Sequence, residues 1–244
     1  MNIEGSIALV TGANRGLGKA YAEALLAAGA KKVYAGARDP SSIKDPRLIS
    51  VKLDVTSSDS VAAAAELCKD VNILINNAGI MLLTPMLADG ADEAMRREME
   101  VNVYGVLRMV RTFAPILAGN GGGAIANMLS VVSWFVHPLN ATYCASKHAA
   151  LAVTDAIRIQ LKSQGTHVVG VYAGVIDTDM AEGFARATTS PQQVAKRTLD
   201  GIRDGADHVL ADDRSYEIWQ AMRINPATVE AKMQEVWDQR TRGN

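Results

Sequence analysis

Short apolar runs rich in β-branched residues alternate along this chain with longer alanine-rich stretches, and that alternation leaves few ways to fold. Ile7–Thr11, Lys32–Ala37, Ile49–Leu53, Asn72–Asn76, Ala124–Leu129 and Val168–Ala173 read as strands. Between them Leu17–Ala28, Ser58–Lys69, Asp92–Leu117 and Tyr143–Gln164 carry apolar positions near the helical period. The strands lack polar alternation, so both faces of their sheet must be covered by helices. Glycine or polar turns at Gly29, Gly119–Gly123 and Gly165 separate the elements. The pattern predicts an α/β protein built on a doubly wound parallel sheet of about seven strands with helices on both faces.

After Met180 the pattern changes. Ala181–Thr189 is polar and alanine-rich without a firm period, and Ser190–Pro191–Gln192–Gln193 then reads as a capping box with proline at the first helical position. A helix to about Arg203, a short strand near His208–Ala211 and one or two helices between Ser215 and Arg240 complete the chain. Residues 1–244 are therefore expected to form a single domain, with 181–244 a variable substrate-side and C-terminal helical appendage of it. Composition limits the partners. The 25 basic and 26 acidic residues leave a net charge of −1, which gives no basic field for a nucleic acid. Cys68 and Cys144 are too few for a disulfide scaffold or a cysteine-built metal site, so a reducing compartment and no metal are expected. Glu4 and Gly5 precede the first apolar run, and no segment reads as a secretion signal or membrane span, so the expected location is the cytoplasm.

The first strand runs directly into Gly12–Ala13–Asn14–Arg15–Gly16–Leu17–Gly18, where a helical pattern starts at once. Glycines there let the backbone turn tightly and approach a pyrophosphate, while the helix N-terminus offers free N–H groups. That placement favours a Rossmann-type sheet and a dinucleotide-binding domain over a plain tight strand–helix turn. Further on, Tyr143 and Lys147 stand four apart, hence on one helical face. Ser130 ends the fifth predicted strand, where parallel sheets present side chains to a ligand crevice. A free phenol has a pKa of about 10, so ionising it near neutrality needs roughly 4 kcal/mol. A lysine ammonium about 5 Å away contributes about 3 kcal/mol at an effective dielectric near 20. A cationic nicotinamide could supply the rest, so such a tyrosine can act as acid for carbonyl reduction and as base for alcohol oxidation.

Together these residues resemble the short-chain dehydrogenase/reductase family over about residues 5–180. Thr11–Gly18 is similar to its TGxxxGxG, Asn76–Asn77–Ala78–Gly79 to its NNAG, Asn102 to its catalytic-helix asparagine and Tyr143–Lys147 to its YxxxK. The resemblance implies that Ser130 orients the substrate carbonyl, that Tyr143 transfers the proton, and that Lys147 lowers the phenol pKa and holds the nicotinamide ribose. It implies that Asn102 holds a relay water, and that the cofactor lies on Gly12, Asn14, Arg15, Gly16, Leu17 and Gly18. Asp54 and Val55 would meet the adenine, and Asn76, Ala78 and Gly79 would lie under the adenosine half. One departure stands out: Ala173 occupies the position where the family usually has proline. Gly174, Ile176 and Thr178 remain in place to contact the carboxamide.

The second strand ends in Ala37, where an acid would bind a ribose 2′-hydroxyl, and Arg38 follows it. With Arg15 as a second guanidinium, this favours a 2′-phosphate and hence NADP(H) over NAD(H); the opposing assignment gives the ribose to Asp39. Segments Ile80–Met86, Val131–Asn140 and Met180–Arg186 are expected to line the substrate space, with Met81, Leu82, Val132, Trp134, Phe135, Met180 and Phe184 as apolar members. His137 reads as a structural loop residue. The expected activity is an NADP(H)-dependent carbonyl reductase or alcohol dehydrogenase acting on a small uncharged substrate. The alternatives are an acyl-thioester ketoreductase and a non-catalytic NADP-binding regulator. The resemblance further implies a homodimer or homotetramer joined through the two long helices.

Overall fold

The structure is a computed structural model that describes residues 1–181 and 189–242. Its strands are β1 (Ile7–Thr11), β2 (Lys32–Ala37), β3 (Ile49–Lys52), β4 (Ile73–Asn76), β5 (Gly123–Met128), β6 (Thr166–Tyr172) and β7 (His208–Leu210). They form one sheet in the order β3-β2-β1-β4-β5-β6-β7, and every pairing is parallel. Strand order reverses between β1 and β4, which opens a crevice at their C-terminal ends. The expected doubly wound α/β sheet is the observed one.

Apolar residues on successive strand positions feed two cores. Val10, Val33, Ile75 and Val171 face α1 (Gly16–Ala27) and α6 (Pro191–Asp204), where they meet Leu17, Tyr21, Leu25 and Leu199. Leu9, Tyr34, Leu74 and Ile125 face the other way, onto Val61 of α2 (Ser58–Leu67) and the helices that follow β4. The stretch expected as one helix over Asp92–Leu117 is in fact α3 (Ala91–Met99), a wide π turn over Glu100–Gly105, and α4 (Val106–Gly119). The break lies where this helix meets the loop after β3 on the same face of the sheet. A Cβ on Gly105 would lie 2.9 Å from Val55, so the helix presses its glycine onto the loop after β3. Phe113 and Leu117 of α4 and Ile157 of α5 (Ala141–Leu161) complete this second core.

The end of the chain joins the same sheet. The Gln193 N–H donates to Ser190 Oγ (3.2 Å), but the return bond of a capping box is not made. A full reciprocal box lies at Asp212 and Ser215, at the start of α7 (Asp213–Ile224). α7 and α8 (Pro226–Arg242) cover the segment after β5. Trp134 stacks on Tyr172 with ring centroids 4.2 Å apart and meets Trp219 at 4.9 Å. Phe135 is buried with Ile218 and Val229. Both residues were expected to line the substrate space; they are instead the seat of the C-terminal helices. No described helix is long and apolar enough to cross a membrane, and no metal-binding cluster occurs among the described residues.

Candidate active site

The glycine turn is shaped by close approach. Gly12 and Gly16 adopt φ +65° and +51°, in the left-handed region that other residues avoid. A Cβ on Gly18 would fall 2.0 Å from the Gly12 carbonyl oxygen, so α1 can begin only with glycine there. Its N-cap, Arg15, makes no side-chain cap bond, which leaves the first-turn N–H groups for a ligand. Asn14 is half-buried at the turn, and Leu17 sits in the core beneath it. The Arg15 guanidinium does not reach toward β2. It pairs instead with Asp179 across the mouth of the crevice at 2.9 Å. On the same side, a Cβ on Gly16 would lie 3.2 Å from the Thr178 methyl.

Asn76–Gly79 braces this turn from below. The Asn77 amide donates to Thr11 O (2.9 Å), and the N–H groups of Asn77 and Ala78 both donate to Thr11 Oγ1. Asn76 points into the sheet, where its Nδ2 donates to Asn127 Oδ1 (2.8 Å) and Asn127 donates on to Thr154. Only Gly79 reaches the catalytic side, beside Asn102. At the far end Arg38 is exposed beyond Ala37, and Asp39 spends its carboxylate on the Ser41 N–H (2.9 Å). Asp54 accepts from both the N–H and hydroxyl of Thr56, and these bonds hold its carboxyl below the usual range. Ser57, not Asp54, caps α2. Val55 is buried against Gly105.

Ser130 closes β5 as the N-cap of a short turn, with its hydroxyl 3.4 Å from Ala173 O. Tyr143 and Lys147 stand one turn apart on α5. Nζ of Lys147 donates to Met128 O (2.8 Å) and lies 5.6 Å from the Tyr143 ring centroid. Burial pulls the ammonium down to about 8. It also raises the Tyr143 phenol, assisted by the Cys144 and Glu98 charges, while hydrogen bonding with Ser130 opposes the rise. In the chain by itself the net shift of the phenol is upward, with burial its largest cause. Asn102 lies in the π turn. Its Oδ1 accepts from Ile80 N–H, and its Nδ2 donates to Ile80 O and Ser146 Oγ, all at 2.9 Å. Ser146 donates in turn to Tyr143 O (2.7 Å). Asn102 therefore ties the loop after β4 to the turn of α5 that carries the phenol.

The loop after β6 is anchored twice. Ala173 O accepts from Val131 N–H (3.0 Å), and Gly174 N–H donates to Asp212 Oδ2 (2.8 Å). Asp212 was not among the expected site residues, although its Asp-x-x-Ser spacing to Ser215 is a readable cap signal. Ile176 bridges to Thr189. Of the expected lining, Met81 faces Asn140, Val132 is buried and Met180 is exposed, while Phe184 lies outside the described residues.

Residues 6–188 match the family model for short chain dehydrogenases. The chain belongs to the short chain dehydrogenase family. Among relatives of this family, it is 33% identical over 213 residues to sorbitol dehydrogenase of Cereibacter sphaeroides, covering 82% of this chain and 83% of that one. It is 31% identical over 240 residues to the 3-oxoacyl (acyl-carrier-protein) reductase of Escherichia coli K12, covering 92% and 98%. A solved short chain dehydrogenase of Burkholderia cenocepacia J2315, in complex with NADP, superposes with a TM-score of 0.92 at 40% identity, over 96% of this chain and 99% of that one. The family match spans the glycine turn, Asn102, Ser130, Tyr143 and Lys147 but ends at residue 188, before α6, α7 and α8.

Proposed function

We propose that this family member is an NADP(H)-dependent oxidoreductase that reduces a small uncharged ketone or aldehyde to its alcohol, and runs in reverse. The observation that carries this reading is the placement of Lys147 Nζ, itself buried, 5.6 Å from the Tyr143 ring on α5, beside Ser130 at the crevice end of β5. Bound NADP(H) supplies the hydride in reduction and accepts it in oxidation. In reduction the Ser130 hydroxyl holds and polarises the carbonyl oxygen, and the Tyr143 O–H gives that oxygen its proton. A phenol raised by burial suits the acid role. Lys147 holds the ribose hydroxyls, and Asn102 fixes the helix turn beneath them. The residues fit the cofactor: α1 has a free N-terminus over a glycine turn, and the end of β2 offers Arg38 with no competing acid, since Asp39 caps Ser41. The NADP complex of the Burkholderia protein supports the same choice. The chain is read as one domain and as a cytoplasmic homodimer or homotetramer joined through α3–α4 and α5.

A second reading, acyl-thioester ketoreductase, is favoured by the relation to the Escherichia coli reductase. One assay separates the two. NADPH consumption is followed with a panel of aryl and alkyl ketones, aldehydes and acyl-carrier thioesters. Turnover of simple carbonyls supports the first reading, and turnover of thioesters alone supports the second. Tyr143→Phe should abolish turnover while NADPH binding persists; unchanged turnover overturns both, and full binding by an inactive wild type leaves the regulator.

A further inference from the structure

The chemistry above leaves a buried carboxyl near Tyr143 without a task. Glu98 stands on α3, one turn before Asn102, and is fully buried. Its Oε1 accepts from the Leu82 N–H at 2.8 Å, whereas its Oε2 is buried with no hydrogen-bond partner among the described residues. An apolar residue would fill that interior position at far less cost than a carboxyl with a spare oxygen.

The loop it holds supplies a reason. Leu83 adopts φ +50°, the left-handed conformation that a leucine takes only under constraint. The strained turn is anchored at every second residue: Ile80 by Asn102, Leu82 by Glu98, and Thr84, whose carbonyl accepts from the N–H (3.3 Å) and hydroxyl (3.4 Å) of Thr142. Thr142 is the neighbour of Tyr143, so the turn and the phenol are fastened to the same end of α5.

We propose that Glu98 is a positioning residue of the reaction: one oxygen pins the strained Leu82–Leu83 turn beside the substrate space, and the buried carboxyl is thereby coupled to the phenol that Thr142 fastens to the same turn. This rests on Tyr143 serving as acid and base. The titratable groups on which the Glu98 charge acts are Tyr143 and Cys144 of α5. Loop 80–84 brings none, Arg96 and Arg97 on α3 itself are exposed, and Lys147 is bonded to Met128 O. Burial raises the Glu98 carboxyl, while the Leu82 N–H pulls it back down.

Two substitutions separate the two roles. Glu98→Gln keeps an acceptor for Leu82 but removes the charge; Glu98→Leu removes both. With Gln, KM for the ketone should stay within about twofold of wild type, and the pH at which alcohol oxidation switches on should fall. The phenolate absorbance of Tyr143, taken as the difference from Tyr143→Phe, should titrate at lower pH in the same variant. With Leu, KM should rise about tenfold, the loss expected for one hydrogen bond to a charged group, while NADPH affinity is unchanged. Amide exchange at Leu82 should also quicken. The phenolate titration needs no turnover, so it tests the coupling even if the oxidoreductase reading fails on the substrate panel. Superimposable phenolate titrations for Gln and wild type overturn the proposal, as does an unchanged KM in the Leu variant. If the Leu variant does not fold, the Gln titration decides alone.

Discussion

Lys147→Met should make the cofactor-free chain more stable while destroying its activity. The ammonium ordinarily titrates at 10.5, and burial pulls it to about 8, so holding it charged in the interior costs roughly 3 kcal/mol near neutral pH. The unfolded chain keeps this proton up to its ordinary value, whereas the folded chain gives it up near 8. Between those values the unfolded state binds more protons, and wild-type stability therefore rises with pH; below them the full cost is present. Methionine keeps an unbranched apolar stem of similar length but loses the Nζ bond to Met128 O (2.8 Å). A lost hydrogen bond returns about 1 kcal/mol, which leaves a gain of about 2 kcal/mol near neutral pH. The gain should fade as pH rises toward the ordinary lysine value. Urea unfolding midpoints of both proteins at neutral and alkaline pH measure it, and ketone reduction by NADPH measures the activity. A variant less stable than wild type at neutral pH, or a difference that does not narrow on raising pH, would refute the reasoning. The physical content is that catalysis here is built at the expense of stability.

Other consequences can be read with the same two assays. Arg38→Asp should lower kcat/KM with NADPH and raise it with NADH, changing their ratio at least about tenfold; an unchanged ratio removes Arg38 from the 2′-phosphate. Asp179→Asn frees Arg15 from an exposed ion pair whose side chains are 71% and 69% accessible. NADPH should then bind about two- to fivefold tighter at low ionic strength, with no change for NADH and none at high salt; equal tightening of both cofactors would show that Arg15 does not reach the phosphate. Gly18→Ala places a methyl 2.0 Å from the Gly12 oxygen, so α1 must shift away from β1. It should cost about 1–3 kcal/mol in unfolding free energy and weaken NADPH binding together; a stable variant with intact binding would contradict the geometry.

What could be read in advance follows from how local each cause is. β1 and β2 are legible to the residue because each apolar position is buried whichever face it meets, so the strand pattern does not depend on its partners. The π turn at Glu100–Gly105 was not legible, because its contacts, Val55 and Ile80, come from elements far along the chain. Trp134 and Phe135 follow Ser130 as an apolar run that reads alike whether it faces a ligand or a helix, and only the placement of α7 and α8 decides between them. The upward shift of Tyr143 is not legible for a similar reason: spacing puts Lys147 within reach, but burial, the largest cause of the shift, is a sum over the whole fold. Ala173 shows how such distant causes can repair a local defect. A proline ring would have stiffened that loop by itself. Here the stiffening comes from Asp212, which reaches back across β7 to hold Gly174 while its other oxygen caps α7 through Ser215. The loop after β6 and the C-terminal helices are thereby joined by one carboxylate. A chain that drops the proline at 173 therefore depends for its active-site geometry on a segment beyond the family match, which local sequence comparison around the motif does not reach.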